Sequence, residues 1–356
     1  MSTTLARVAS KDKPSGHVAF AARVPNWLGD AVLAVPAVRA LADCSRRGRV
    51  LVLASTSSAE VFSRVTGTLV FTVKTPGANV FGWIQAIHDG SALLRRFRPV
   101  IVFSMTKSFT SAATCLGGMV PRRVGLENGL WRFFYTDRIS RGGSGREHLA
   151  DTYCRLVESI GVGVADRVPR INPTQDDLKA GESVLRSRGL AGGRFVCFFP
   201  GARYGPAKRW DPARFALLGD AIIAKLGFAV VILGGREDLA ACRAVETQMN
   251  GKSANLCAEI DFSSLVGTLH LSGGVVANDS GGMHLAAALG IPVVGLFFST
   301  YPEWTKPRAP WAEALYNKLE CSPCFQRDCP RGNTCTETIS IEEGLAALGR
   351  VRGEGS

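Results

Sequence analysis

Short apolar runs recur along the chain, most of them followed by a polar or glycine-bearing turn and then by apolar positions at helical spacing. In the first half the runs are Val18 to Val24, Val50 to Ala54, Leu69 to Val73 and Val100 to Phe103. In the second half they are Phe195 to Phe199, Ala229 to Leu233, Val275 to Ala277 and Pro292 to Phe297. Runs that do not alternate inside and outside suit strands buried on both faces of a parallel sheet. Between the first two, Val32, Val35, Val38 and Leu41 fall on one helical face, predicting a helix from Ala31 to about Ala42. Pro36 is expected to kink it, because its missing N–H removes the bond back to Val32. Further helices are predicted over Glu147–Ile160, Asp176–Arg188, Pro212–Leu226 and Met283–Leu289, the last stopped by Gly290 with Pro292 just beyond.

This alternation of strand and helix, present in both halves, predicts an α/β protein made of two similar Rossmann-like domains whose parallel sheets face each other across a cleft. Irregular sequence from Gly161 to Pro173 marks the boundary, giving an N-terminal domain of residues 18–172 and a C-terminal domain of 173–356. Residues 1–17 read as a flexible tail, and Arg138 to Arg146 as a flexible loop.

The chain has 356 residues, 46% of them hydrophobic and 20% charged, a globular composition with room for two domains. Its formal net charge of +12 points to anionic partners, against the plainer reading of solubility alone. The cations are dispersed, and Trp27 and Trp210 sit in glycine turns, which suits a sugar site better than nucleic acid. No run of 18 apolar residues is present and no secretory leader is evident, so a cytoplasmic protein is expected, with its ten cysteines reduced. The scattered ones, Cys44, Cys115, Cys154, Cys197, Cys242 and Cys257, read as small core residues.

Candidate chemistry gathers at the turns after the apolar runs. In VVANDSGGMHLAAALGIPVVGLF the turn Asp279–Ser280–Gly281–Gly282 opens a helix, whose unsatisfied N–H groups favour an anion such as a nucleotide diphosphate. Asp279 reads either as a helix cap or as a ligand-binding acid, and His284 as a core histidine or a binding residue. Lys208 and Arg209 close the loop PGARYGPAKRW, placing cations where a departing diphosphate gains charge; the alternative is a solvated loop. Glu237, in GGRED, reads as an acceptor for ribose hydroxyls or as an acid favouring its helix start. Asp30, ending the turn Pro25–Asn26–Trp27–Leu28–Gly29, is a helix cap or a general base. Cys321, Cys324, Cys329 and Cys335 form C-x2-C-x4-C-x5-C, compatible with a structural zinc site, two labile disulfides or four free thiols.

Taken in order, PNWLGDAVLAVPAVRAL, PGARYGPAKRW, NDSGGMHLAAALG and CSPCFQRDCPRGNTC resemble the ADP-heptose:lipopolysaccharide heptosyltransferases of glycosyltransferase family 9, over about Val18 to Ile341. The PNW before Gly-Asp and the cysteine cluster favour the type that adds the second heptose over the type that adds the first. The resemblance implies a GT-B fold, inversion at the anomeric carbon by direct displacement, donor bound by the C-terminal domain and acceptor by the N-terminal one. It implies Asp30 as general base and Lys208 on the donor phosphate. It further implies Asp279, Ser280, Gly281, Gly282, His284 and Glu237 around ADP-heptose, and Asn26 and Trp27 toward the acceptor. The implied partners are ADP-heptose and a lipid A–Kdo–heptose acceptor at the inner face of the cytoplasmic membrane. No cofactor and no stable protein partner are expected. A heptosyltransferase of the first type and a nucleotide-sugar epimerase remain the alternatives. Phe298 stands where the family has a glycine, and is expected to reshape the donor pocket near Thr300; Gly282 replaces a bulkier residue.

Overall fold

The computed structural model describes residues 18–45, 49–75, 80–127, 129–140, 147–190, 194–332 and 334–353. The expected N-terminal tail, and residues 141–146 of the expected flexible loop, lie outside the described residues. The chain divides into two compact units, one up to Pro169 and one from Arg170.

The N-terminal unit runs β1 (Phe20–Arg23), α1 (Leu28–Cys44), β2 (Val50–Ala54), α2 (Thr56–Phe62), β3 (Thr68–Thr72), α3 (Val80–Phe97), β4 (Ile101–Ser104), α4 (Phe109–Gly117), β5 (Arg122–Leu126), β6 (Asp137–Ile139) and α5 (Leu149–Glu158). Its six strands are all parallel, in the order β3-β2-β1-β4-β5-β6. The strand order reverses between β1 and β4, so the loops leaving those two strands flank the crevice where open α/β sheets bind ligands. Every residue of β2 and β4 is buried, as runs covered on both faces must be. Helix α1 begins three residues earlier than its apolar pattern predicts and continues through Pro36 as one element. From Ala31 to Ala42 every residue but Arg39 is buried, so the helix is apolar nearly all round and its pattern is wider than one stripe.

The C-terminal unit runs α6 (Gln175–Ser187), β7 (Phe195–Phe199), α7 (Pro212–Leu226), β8 (Ala229–Ile232), α8 (Leu239–Gln248), β9 (Ser253–Asn255), α9 (Phe262–His270), β10 (Val275–Asn278), α10 (Gly281–Ala288), β11 (Val293–Leu296), α11 (Pro302–Thr305), β12 (Ala312–Leu315) and α12 (Ile341–Val351). Its parallel sheet has the order β12-β11-β10-β7-β8-β9, with the reversal between β7 and β10. Phe195 to Phe199 are all buried, and Phe198 and Phe215 pack at 5.4 Å between ring centroids. Helices α6 and α9 touch backbone to backbone: a Cβ on Gly181 would lie 2.3 Å from the Gly267 carbonyl carbon, and one on Gly267 would lie 2.0 Å from the Asp177 carbonyl oxygen. Only glycine allows that approach.

Three cysteine and tryptophan expectations need correction or refinement. Cys44 is exposed, because it ends α1 where the chain leaves the core. Trp210 is no sugar platform: it is fully buried, edge-on to Phe215 at 5.2 Å. Trp27 is half-exposed. The other five scattered cysteines are buried as expected.

Substituting Gly267→Ala should lower stability by about 1–3 kcal/mol, because helix backbones cannot yield cheaply. The urea midpoint should fall with little change in slope; an unchanged midpoint would mean that α6 and α9 separate freely.

Candidate active site

At the reversal of the second sheet, the loops after β7 and β10 meet through side chains. Asn278, the last residue of β10 and fully buried, accepts from the Trp210 backbone N–H through Oδ1 (3.0 Å) and donates through Nδ2 to the Pro200 carbonyl (2.7 Å). One side chain thereby pins both ends of the PGARYGPAKRW loop. The next residue, Asp279, accepts from Lys208 Nζ at 2.5 Å and from Thr300 Oγ1 at 2.7 Å. Both partners of the ion pair are largely buried, at 13% exposure for the Lys208 side chain and 6% for that of Asp279. Lys208 also lies 4.9 Å above the Tyr204 ring centroid. An ammonium has three N–H donors, so the bond to Asp279 leaves two for an incoming oxyanion.

Asp279 is therefore not a helix cap. The residue at that position is Ser280, whose side chain makes no capping bond; its hydroxyl is buried and has no hydrogen-bond partner among the described residues. The backbone N–H groups of Gly281, Gly282 and Met283 open α10 beside it. Gly282 is required here by packing: a Cβ would lie 2.5–2.7 Å from ring atoms of Phe199. The Phe199 ring fills the space that a bulkier residue would take. The Phe298 side chain is likewise packed, buried within the hydrophobic core of the unit. His284 is buried one turn into α10, on the same helical face as Ser280. Glu237 lies on a 3-10 turn, Arg236–Asp238, after β8, exposed and 3.2 Å from Arg203 of the Lys208 loop.

The cysteine segment has a role that its spacing does not show. All ten cysteines are free, and among the described residues no three His, Cys, Asp or Glu side chains gather as metal ligands. The two-disulfide reading is not what the structure shows. The Cys335 thiol is pushed up by burial first and then by Cys329, Cys324 and Cys321 nearby. The segment packs instead on the Lys208 loop. The Arg327 carbonyl accepts from the Ala207 N–H (3.0 Å), Arg327 Nε donates to the Tyr204 carbonyl (2.8 Å), and the Tyr204 hydroxyl donates to the Phe325 carbonyl (2.6 Å). A Cβ on Gly205 would lie 2.4 Å from the Arg327 carbonyl oxygen, which is why that loop position is glycine.

In the N-terminal unit the turn after β1 is held in a different way. Arg23, at the end of β1 and only 5% exposed, donates to the Val24 and Leu53 carbonyls (2.7 and 3.3 Å) and to Asn26 Oδ1 (2.8 Å). Burial lowers its pKa to about 10. The Asn26 carbonyl accepts from Ser55 and Ser57 (3.0 and 3.1 Å), and the Pro25 carbonyl from Ser58. Asn26, Trp27 and Asp30 thus stand on a fixed turn at the reversal point of the first sheet. The capping reading of Asp30 is corrected: Trp27 occupies the cap position, and Asp30 lies in the first turn of α1, half-buried, its charge complementing the helix start. Arg23 and the three serines were not singled out from sequence. The S-T-S-S run after β2 was the visible signal for the serines.

Asp279→Asn should cost about 2–4 kcal/mol, because it leaves the Lys208 ammonium buried without its counter-charge. The double variant Asp279→Asn/Lys208→Met should recover most of that loss in thermal or urea unfolding. Additive losses would show that the two side chains do not stabilise each other.

Residues 92–334 match glycosyltransferase family 9 (heptosyltransferase). The lipooligosaccharide heptosyltransferase 2 of Haemophilus ducreyi is 26% identical over 296 residues, which are 80% of this chain and 84% of that one. The solved structure of the E. coli ADP-heptose lps heptosyltransferase II is similar with a TM-score of 0.78 at 22% identity, covering 94% of this chain and 98% of its own. A glycosyltransferase family 9 structure from Veillonella parvula gives 0.82 at 20% identity, covering 96% and 98%. These two likenesses are of fold. The family match spans well over half of the chain, and with the two parallel sheets and the loops at their reversal points it has one meaning: the chain belongs to glycosyltransferase family 9, the heptosyltransferases.

Proposed function

We infer that the chain transfers heptose from ADP-L-glycero-D-manno-heptose to the first heptose of the lipopolysaccharide inner core. The observation that carries the donor half is the array at the second reversal point: Lys208 held by Asp279, Thr300 on the same carboxylate, and the Ser280 hydroxyl beside the start of α10. A buried ammonium with two N–H donors to spare, next to unsatisfied backbone N–H groups, suits a diphosphate that gains charge as it leaves. Glu237 and His284 complete the donor set in this reading, with Glu237 toward the ribose.

On the acceptor side, Asp30 is the base, and Asn26 and Trp27 bind the sugar. The acceptor hydroxyl oxygen attacks the anomeric carbon of the donor heptose, its proton passes to the Asp30 carboxylate, and the bond from that carbon to the phosphate oxygen breaks with the electron pair leaving on ADP. The new glycosidic bond has inverted configuration. Lys208 and the α10 start supply positive charge at the leaving group from the protein itself, so turnover is proposed to be metal-independent. The reaction is placed at the inner face of the cytoplasmic membrane, with the enzyme peripherally bound; no described helix is long and apolar enough to cross a membrane.

The test is incubation with ADP-heptose and two inner-core acceptors, one carrying a first heptose and one lacking it, in excess chelator. Product on the heptosylated acceptor alone is the expected result. Product on the bare acceptor would assign the first transfer instead, and loss of turnover restored by magnesium would remove the metal-independent step. Asp30→Asn should lower kcat by about 10²–10⁴-fold while the ADP affinity stays within about twofold of wild type. Retained turnover takes the base role away from Asp30.

A further inference from the structure

The excess positive charge is confined to one unit. Residues 1–169 carry 22 Lys and Arg against 11 Asp and Glu, a net +11, whereas residues 170–356 carry 20 against 19, a net +1. A charge serving solubility alone has no reason to sort this way. Exposed apolar side chains sort the same way. Among the described residues, eleven of the fourteen large hydrophobic side chains left exposed belong to the N-terminal unit.

Several of these eleven lie together. Phe81 and Ile84 project from the first turns of α3, at 75% and 60% exposure. Helices α3 and α4 run parallel in close contact, with Gly90 against Thr114, Ser91 against Gly117 and Leu94 against Gly118. In that register α3 begins five residues farther out than α4, an overhang of about 7 Å at 1.5 Å per residue. Because α3 and α4 follow β3 and β4, these ends stand at the carboxyl edge of the first sheet. Phe109 opens α4 there, 6.4 Å from Trp131 and 6.0 Å from Phe134 between ring centroids. Both rings belong to a 3-10 turn, Leu130–Phe134, that follows β5 and also presents Leu130 (83% exposed) and Phe133. Arg132 and Arg138 lie over the Phe133 ring, at 5.0 and 5.1 Å from its centroid, and Lys107 is exposed where the Trp131 indole donates to its carbonyl.

Exposed aromatic and aliphatic side chains with guanidinium groups stacked on them match a bilayer interface: the apolar parts enter the acyl boundary while the cations meet lipid phosphates. We propose that the start of α3 and the Leu130–Phe134 turn form a membrane-docking surface selective for anionic phospholipid. The proposal rests on the reading that the acceptor is carried on a lipid, and it names the face that meets the bilayer. A second copy of the chain is the competing occupant. The surplus of like charge on this unit disfavours it, since two such faces would repel each other.

The test is co-sedimentation of the full chain with phosphatidylethanolamine vesicles, with and without phosphatidylglycerol, for wild type, Phe81→Ser/Ile84→Ser and Arg132→Glu/Arg138→Glu. Wild type should partition onto the phosphatidylglycerol vesicles and release at high salt, and each double variant should bind about tenfold more weakly or worse. Heptose transfer to a deacylated, water-soluble acceptor should be unchanged in both variants, which also shows that they fold, while transfer to the same acceptor embedded in vesicles should fall with binding. Equal binding to both vesicle types, or variants that bind like wild type, would overturn the surface, as would a wild-type dimer in light scattering that the same substitutions dissociate. A chain that docks on vesicles but transfers no heptose removes the activity and leaves the surface. One that transfers to the soluble acceptor and ignores vesicles removes the surface alone.

Discussion

The ion pair between Lys208 and Asp279 is the constraint around which the C-terminal unit is arranged. Two charges this far from water are tolerable only when they are paired and hydrogen-bonded. Pairing requires the loop after β7 and the residue after β10 to meet at fixed distance, and the remaining contacts enforce it. Asn278 ties the loop at both ends, Thr300 comes from the loop after β11, and Gly201 admits the Asp238 carboxylate so closely that a Cβ would lie 2.0 Å from its oxygen. Four of the loops leaving the second sheet are therefore set before any ligand arrives. In the proposed reaction the charged groups would need little rearrangement to take a diphosphate among them, which is the condition under which fixed charge stabilises a leaving group most.

The N-terminal unit meets the same requirement without an ion pair. Arg23 is buried with neutral oxygens as its hydrogen-bond partners, and burial lowers its pKa to about 10. The nearby Cys115 thiol is pushed up to about 12 by the same lack of water, and stays neutral. Three serines from the start of α2 add bonds to the carbonyls of Pro25 and Asn26. The turn that carries Asn26, Trp27 and Asp30, the proposed acceptor side of the reaction, is thus held through its backbone carbonyls.

Much of this was legible in the residues. The buried strands announced themselves as unbroken apolar runs, and Pro212–Leu226 and Phe195–Phe199 fall where the pattern puts them. The strands that escaped are β5 and the edge strands β6, β9 and β12, three to five residues each and only partly buried, too short for any period to register. Helix α12 did carry a signal, the Ser340-x-x-Glu343 capping box, and both of its reciprocal bonds form. At the site, residue types were readable and partners were not. Lys208 and Asp279 each stood out alone, but nothing in a sequence says that residues 71 positions apart form a buried pair. Trp210 misled because a tryptophan among glycines looks the same in sequence whether its ring meets a sugar or the core.

The cysteine segment has one more consequence. Its backbone, through Arg327 and Phe325, is the wall against which Tyr204, Gly205 and Ala207 rest, and Lys208 is the next residue along. The stretch bears none of the proposed reacting groups, yet it backs the loop that carries the ammonium. In the proposed reaction, shortening it, lengthening it or oxidising its thiols would register as altered grip on the nucleotide, which makes a region that looks ornamental a gauge for the leaving group.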